Sequence, residues 1–84
     1  MATGKLFPGG MEIYDFSPGD CRIIINSGSV EIENHRGLSE LDAECICVLR
    51  RKGVLRIRGA GMEICAMNRQ SLIIKGRIIG VDME

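Results

Sequence analysis

The stretch Cys45-Ile-Cys-Val-Leu-Arg-Arg-Lys-Gly-Val-Leu-Arg-Ile-Arg58 decides how the rest of the chain is read. Its apolar residues recur at every second position rather than at the three-and-four spacing of a helix. Leu55 and Ile57 fall on one side of a pleat, and Arg56 and Arg58 on the other. Cys45 to Arg51 therefore reads as a strand, with Lys52-Gly53 as the hairpin turn after it.

The same grammar extends in both directions. Downstream, Gly59-Ala60-Gly61 reads as a turn, followed by Met62, Ile64 and Ala66 in alternation. Asn68-Arg69-Gln70 reads as the next turn. Leu72 and Ile74, a break at Gly76, then Ile79, Val81 and Met83 finish the chain. Upstream, Met11 and Ile13 lead to a Pro18-Gly19-Asp20 turn, and Cys21, Ile23 and Ile25 alternate after it. Ser27-Gly28 is a short break. Val30 and Ile32 then point one way and Glu31 and Glu33 the other, and Asn34-His35-Arg36-Gly37 interrupts again. Leu38 to Glu44 fits a bent strand or one helical turn equally well. Leu55 to Ile64 and Leu72 to Val81 resemble each other at an offset of 17 residues, which consecutive hairpins explain.

These signals predict an all-β domain over residues 1–84, with residues 1–10 flexible. It would be a small antiparallel β-sandwich or roll of seven to nine short hairpin-linked strands, with closure into a barrel left open. A parallel sheet is excluded, because its crossovers need helices for which there is no room. Composition agrees. The chain has 84 residues, 12 of them isoleucine and 11 glycine, so stiff β-branched residues are punctuated by turns. An apolar fraction of 45% against 26% charged is that of a folded chain. No apolar run is long enough to span a bilayer, and the first eight residues lack a signal-peptide core. The expected location is the cytoplasm, with membrane association only through a partner.

Charge is balanced overall but not along the chain. Residues 1–44 carry 3 basic and 8 acidic groups, and residues 45–84 carry 8 basic and 3 acidic. Arg50, Arg51, Lys52, Arg56 and Arg58 crowd into nine residues and form the candidate partner-binding basic face. The simpler account sets Arg56 and Arg58 opposite Glu31 and Glu33 across paired strands. Nucleic acid is not expected as a partner. Net charge is zero, and the only aromatics, Phe7, Tyr14 and Phe16, lie away from the basic cluster.

The remaining candidates carry little chemistry. Cys45 and Cys47 share a strand face, but zinc knuckles more often use a longer gap in a loop. Cys21, Cys45, Cys47 and Cys65 are read as small reduced core residues, and no metal is assigned. His35, the single histidine, sits among polar turn residues with no nucleophile or carboxylate paired to it by sequence. Gly59-Ala-Gly61 lacks the lysine and hydroxyl tail of a phosphate loop. No catalytic residue, cofactor or cofactor-binding residue is assigned, and no enzymatic activity is expected.

Three segments carry a family resemblance. Ile32-Glu-Asn-His-Arg-Gly-Leu38 resembles the strand-to-turn segment of the YabP/YqfC family of sporulation proteins. Gly53-Val-Leu-Arg-Ile-Arg-Gly59 with Met62-Glu-Ile64 resembles its glycine-flanked central hairpin. Leu72-Ile-Ile-Lys-Gly-Arg-Ile-Ile79 resembles its closing strand, glycine, strand. Within the family the YqfC branch is the nearer. Cys45, Cys47 and Arg50-Arg51 depart from the family pattern, which favours threonine or lysine there. The resemblance implies a non-enzymatic accessory role in endospore formation in a Firmicutes-type bacterium. Together with the residue reading it leads to a protein partner, membrane-embedded partners included, or a second copy of the chain; the strand edges and the basic face, read from this chain's own residues, are where it would be met. The resemblance brings no catalytic or binding residues. Two other readings are carried beside it. One is an RNA-binding Sm-like barrel, suggested by Ile57-Arg-Gly59 and opposed by Pro8-Gly9-Gly10 where a helix should open the chain. The other is a self-assembling structural protein of the spore envelope.

Overall fold

β-Branched residues at alternate positions fix the strands, and glycines fix how those strands bend. The computed structural model of the protein describes residues 3–7, 11–26 and 28–84. The strands are β1 (Thr3–Phe7), β2 (Met11–Asp15), β3 (Arg22–Asn26), β4 (Ser29–Glu33), β5 (Leu38–Leu41), β6 (Cys45–Arg50), β7 (Gly53–Met67) and β8 (Ser71–Met83). They form one sheet in the order β1-β2-β3-β4-β8-β7-β6-β5. Every pairing is antiparallel. Two meanders, β1–β4 and β5–β8, are thus joined edge to edge by β4 and β8. The expected all-β antiparallel architecture is what the chain adopts. Residues 1, 2 and 8–10 of the segment expected to be flexible, and Ser27 of the expected break, lie outside the described residues; Thr3–Phe7 pairs along β2.

The inward rows follow from the alternation. Ile23 faces Ile32 and Ile25 faces Val30 across β3 and β4. The row continues as Ile32 to Leu72 and Val30 to Ile74 across β4 and β8. In the other meander Ile46 faces Ile57 and Val48 faces Leu55. Ile23, Val30, Ile32, Ile46, Val48, Leu55, Ile57, Leu72 and Ile74 are all buried in one cluster with Cys21 and Met62. Full burial of each such aliphatic side chain contributes about 1.5–3 kcal/mol.

Those residues share one core because the sheet folds over on itself. A single sheet layer is about 10 Å thick, whereas the shortest dimension of the molecule is 22 Å. The fold line runs through the long hairpin. β7 has 15 residues and β8 has 13, and their pairing shifts register at three places between Arg58 and Ala66. The first half of β7 pairs with β6 and the end of β8. Its second half pairs with the start of β8, which also carries β4. Glycine is required where the two strands press together. A Cβ on Gly59 would lie 2.2 Å from the Arg77 carbonyl oxygen, and one on Gly76 would lie 2.8 Å from the Met62 Cα. Gly76 also has φ of 146°, a conformation other residues rarely adopt.

Three expectations are corrected here. Gly59-Ala60-Gly61 is not a turn, and Gly76 is not a break. Both are bends inside continuous strands: β7 and β8 pair with each other on either side of the bend, and turn residues accept further backbone hydrogen bonds, the Glu44 and Ala43 carbonyls from the Gly59 and Met62 amides and the Gly28 carbonyl from the Gly76 amide. The 17-residue resemblance joins the two strands of one hairpin, whose glycines meet at the fold line. Leu38 to Glu44 resolves into strand β5 followed by a tight turn, in which Asp42 and Cys45 exchange backbone hydrogen bonds.

The sheet is open. Among the described residues β1 and β5 are each paired on one side only. No helix among them is long and apolar enough to cross a membrane.

Candidate functional site

The five residues of the predicted basic face part into three environments. Arg50 turns away from solvent. Its Nη1 lies 2.6 Å from the Asp20 Oδ2, and its guanidinium sits over the Phe16 ring at 5.2 Å. Asp20 is buried and also accepts hydrogen bonds from the Cys21 amide at 2.8 Å and the Arg51 amide at 3.2 Å. Burial alone would raise the Asp20 carboxyl. The Cys21 amide, the Arg50 charge and the Arg51 amide outweigh that and hold it below the usual carboxylate range. This is a latch between the β2–β3 loop and the β6–β7 hairpin, so Arg50 does not belong to an exposed face. Arg51 and Lys52 are exposed at the tip of that hairpin.

Arg56 and Arg58 stand together on the outer face of β7, because the pleat puts Leu55 and Ile57 inside. Their partners are not Glu31 and Glu33. Arg56 pairs with Glu84 at 3.2 Å and Arg58 with Asp82 at 2.7 Å, both from the end of the chain. Glu33 pairs instead with Arg22 on the neighbouring strand. The antiparallel β7–β8 register brings the C-terminal carboxylates across from the arginines and largely balances their charge.

The cysteines divide as well. Cys21 is buried in the core cluster as expected. Cys47 is buried outside that cluster, Cys45 is half-buried and Cys65 is exposed, so these three are not residues of the core cluster. All four are free thiols. Cys45 and Cys47 point to the outer face of β6, since Ile46 and Val48 point in. Their sulfurs are 4.0 Å apart, and the Cys47 Sγ lies 3.5 Å from the Glu40 Oε2. Glu40 arrives because β5 pairs Glu40 with Cys47 beyond a bulge at Leu38. The Glu40 carboxylate, followed by burial and the Cys47 thiol, pushes the Cys45 thiol up to about 11. Sequence reasoning placed the two thiols on one face but had no signal for Glu40, whose approach depends on strand pairing.

His35 is a structural residue of the β4–β5 connection. It is buried, its Nδ1 accepts from the Gly37 amide at 3.0 Å, and its Nε2 lies 2.8 Å from the Asn68 carbonyl oxygen. Since Nδ1 accepts, Nε2 carries the proton and donates, so the imidazole is neutral. It ties the connection to the β7–β8 turn.

One further feature escaped the sequence. Where the folded sheet fails to close, a cleft of about 400 Å³ lies between β2–β3 and the end of β8. Tyr14, Ile25, Ile78 and Val81 line it, and Glu12 accepts the Tyr14 hydroxyl at 2.5 Å. The exposed Ile79 and Met83 stand at the same cleft.

A model of the YabP family matches residues 20–84 of this sequence. No curated protein matches it, and no solved structure does.

Proposed function

We infer that this chain, which belongs to the YabP family, is a non-enzymatic accessory protein of bacterial endospore formation that works by binding a partner protein. The family match over residues 20–84 carries this reading. We place the chain in the YqfC-like branch on the segments Gly53–Gly59 and Leu72–Ile79.

The surface chemistry supports binding. The outer edges of β1 and β5 offer backbone donors and acceptors to an added strand. Arg56 and Arg58 present guanidinium groups that can exchange their carboxylates for those of a partner. The apolar rim at Ile79 and Met83 adds an anchor of the kind interfaces bury. The Asp20–Arg50 latch and the His35 bridge are committed to the fold.

The test is capture from sporulating cells, detergent-solubilised membranes included, with the wild-type chain and the double variant Arg56→Glu, Arg58→Glu. The expected result is one reproducible protein partner whose capture falls at least about tenfold in a variant that keeps its β-sheet circular dichroism. Equal capture by both chains removes the arginine face from the reading. Tight retention of oligo-uridine in place of a protein would move the chain to the RNA-binding class.

A further inference from the structure

We propose that Glu40, Cys45 and Cys47 form a binding site for a zinc(II) ion on the outer face of the β5–β6 pair. The accessory role uses none of these residues, so the site stands apart from it. Their ligand atoms all lie within 4.8 Å of one another. Tetrahedral zinc with Zn–S bonds of about 2.3 Å sets two sulfurs about 3.8 Å apart, and a Zn–O bond of about 2.0 Å sets oxygen about 3.5 Å from sulfur. The observed separations are 4.0 Å between the sulfurs and 3.5 Å from the Cys47 sulfur to Glu40. The Cys45 sulfur and the Glu40 carboxylate lie within 4.8 Å of each other, so binding draws the exposed Glu40 side chain toward Cys45 by up to about 1.3 Å from the ideal separation and leaves the strands in place.

The backbone holds this arrangement ready. Two residues apart on a strand, Cys45 and Cys47 must share a face. The bulge between Leu38 and Glu40 and the pairing of Glu40 with Cys47 bring the carboxylate beside them from the next strand. Glu40 is exposed and Cys45 half-buried, so an ion can enter from solvent and keep a water as its fourth ligand. Two thiolates with one carboxylate select a borderline-soft ion over magnesium or calcium, which take oxygen ligands. The loaded site would carry one net negative charge. Arg58 and Arg56, paired in register with Cys45 and Cys47 on β7, offset it.

The experiment titrates the metal-stripped full chain with zinc against a chromophoric chelator. Cobalt(II) serves as the spectroscopic surrogate, because its thiolate charge-transfer absorption reports sulfur ligation directly. One ion per chain is expected. A lost supporting group typically weakens a metal site 10–100-fold, so removing a ligand should cost at least about a hundredfold. That loss is expected for Cys45→Ser and Cys47→Ser, a smaller one for Glu40→Gln, and none for Cys65→Ser. Because Cys47 is buried, Cys45→Ser is the decisive variant. Zinc should raise the melting temperature of the wild type and leave that of Cys45→Ser unchanged. Absence of the charge-transfer band at one equivalent overturns the site. So does undiminished binding by Cys45→Ser, or binding that disappears with Cys65→Ser.

Discussion

Two arginine–aspartate pairs of nearly equal length sit at opposite ends of the exposure scale. Arg50 and Asp20 are 2.6 Å apart with side chains 12% and 5% exposed; Arg58 and Asp82 are 2.7 Å apart and 50% and 51% exposed. The first pair joins the β2–β3 loop to the β6–β7 hairpin, two regions remote in sequence. The second joins adjacent strands that their backbones already hold. Distance is the same, so environment sets the weight. Removing one partner of the buried pair strands a charge among Phe16 and the core. Removing one partner of the exposed pair returns the other to water.

The comparison breaks most sharply at Asp20. Asp20→Ala is expected to destabilise the fold by about 3–5 kcal/mol, the cost of an uncompensated buried charge, read as a lowered midpoint in urea denaturation. A loss under about 1 kcal/mol would mean that water reaches Arg50 and that the latch is a surface pair after all.

His35 supplies a neutral case between the two. His35→Ala leaves the Asn68 carbonyl and the Gly37 amide without their partner and should cost about 1–3 kcal/mol. The same denaturation series ranks it below Asp20→Ala.

Acid sharpens the contrast further. The Asp20 carboxyl lies below its ordinary value of 3.8 in the folded chain. The unfolded chain therefore takes up that proton first as pH falls. The stabilisation is complete above the ordinary value and is lost as pH drops through the lowered, native one. Wild-type stability should decline below about pH 4, and Asp20→Asn should show a shallower decline over that range. Identical acid slopes in the two chains would remove Asp20 from the acid response.

The smallest effect is expected on the outer face. Asp82→Asn should change stability by less than about 1 kcal/mol, and moderate salt should abolish the difference. A larger, salt-resistant loss would show that the two pairs are alike and that burial does not separate them.

Much of the fold was legible in the sequence because period-two alternation is a local property. Ile23, Val30, Ile32, Leu55, Ile57, Leu72 and Ile74 are assigned to the inside from their neighbours alone, and all are buried. Glycine is ambiguous at that level. The same residue permits a turn or a bend, and only the chain packed alongside distinguishes them, which is why Gly59 read as part of a turn and Gly76 as a break. Cross-strand charge partners were illegible for a related reason. Arg56 and Arg58 face Glu84 and Asp82 because β8 lies beside β7, and sequence offered Glu31 and Glu33 equally. Arg50 read as a member of an exposed basic run beside Arg51 and Lys52. The loop carrying Phe16 and Asp20 covers it, about thirty residues earlier in the chain.

Sequence alone determined that this chain is built of antiparallel strands, which side of most of them is apolar, and that Cys45 and Cys47 face the same way. Those follow from two-residue periodicity and turn chemistry, which need no knowledge of distant segments. Sequence did not foresee that β7 and β8 run to 15 and 13 residues or that Ile79 and Met83 are exposed. Tertiary structure alone decided that the sheet folds over at the β7–β8 glycines, that Asp20 claims Arg50, and that Glu40 joins the two thiols. Each of these depends on which strand lies next to which, a choice made by the whole core at once.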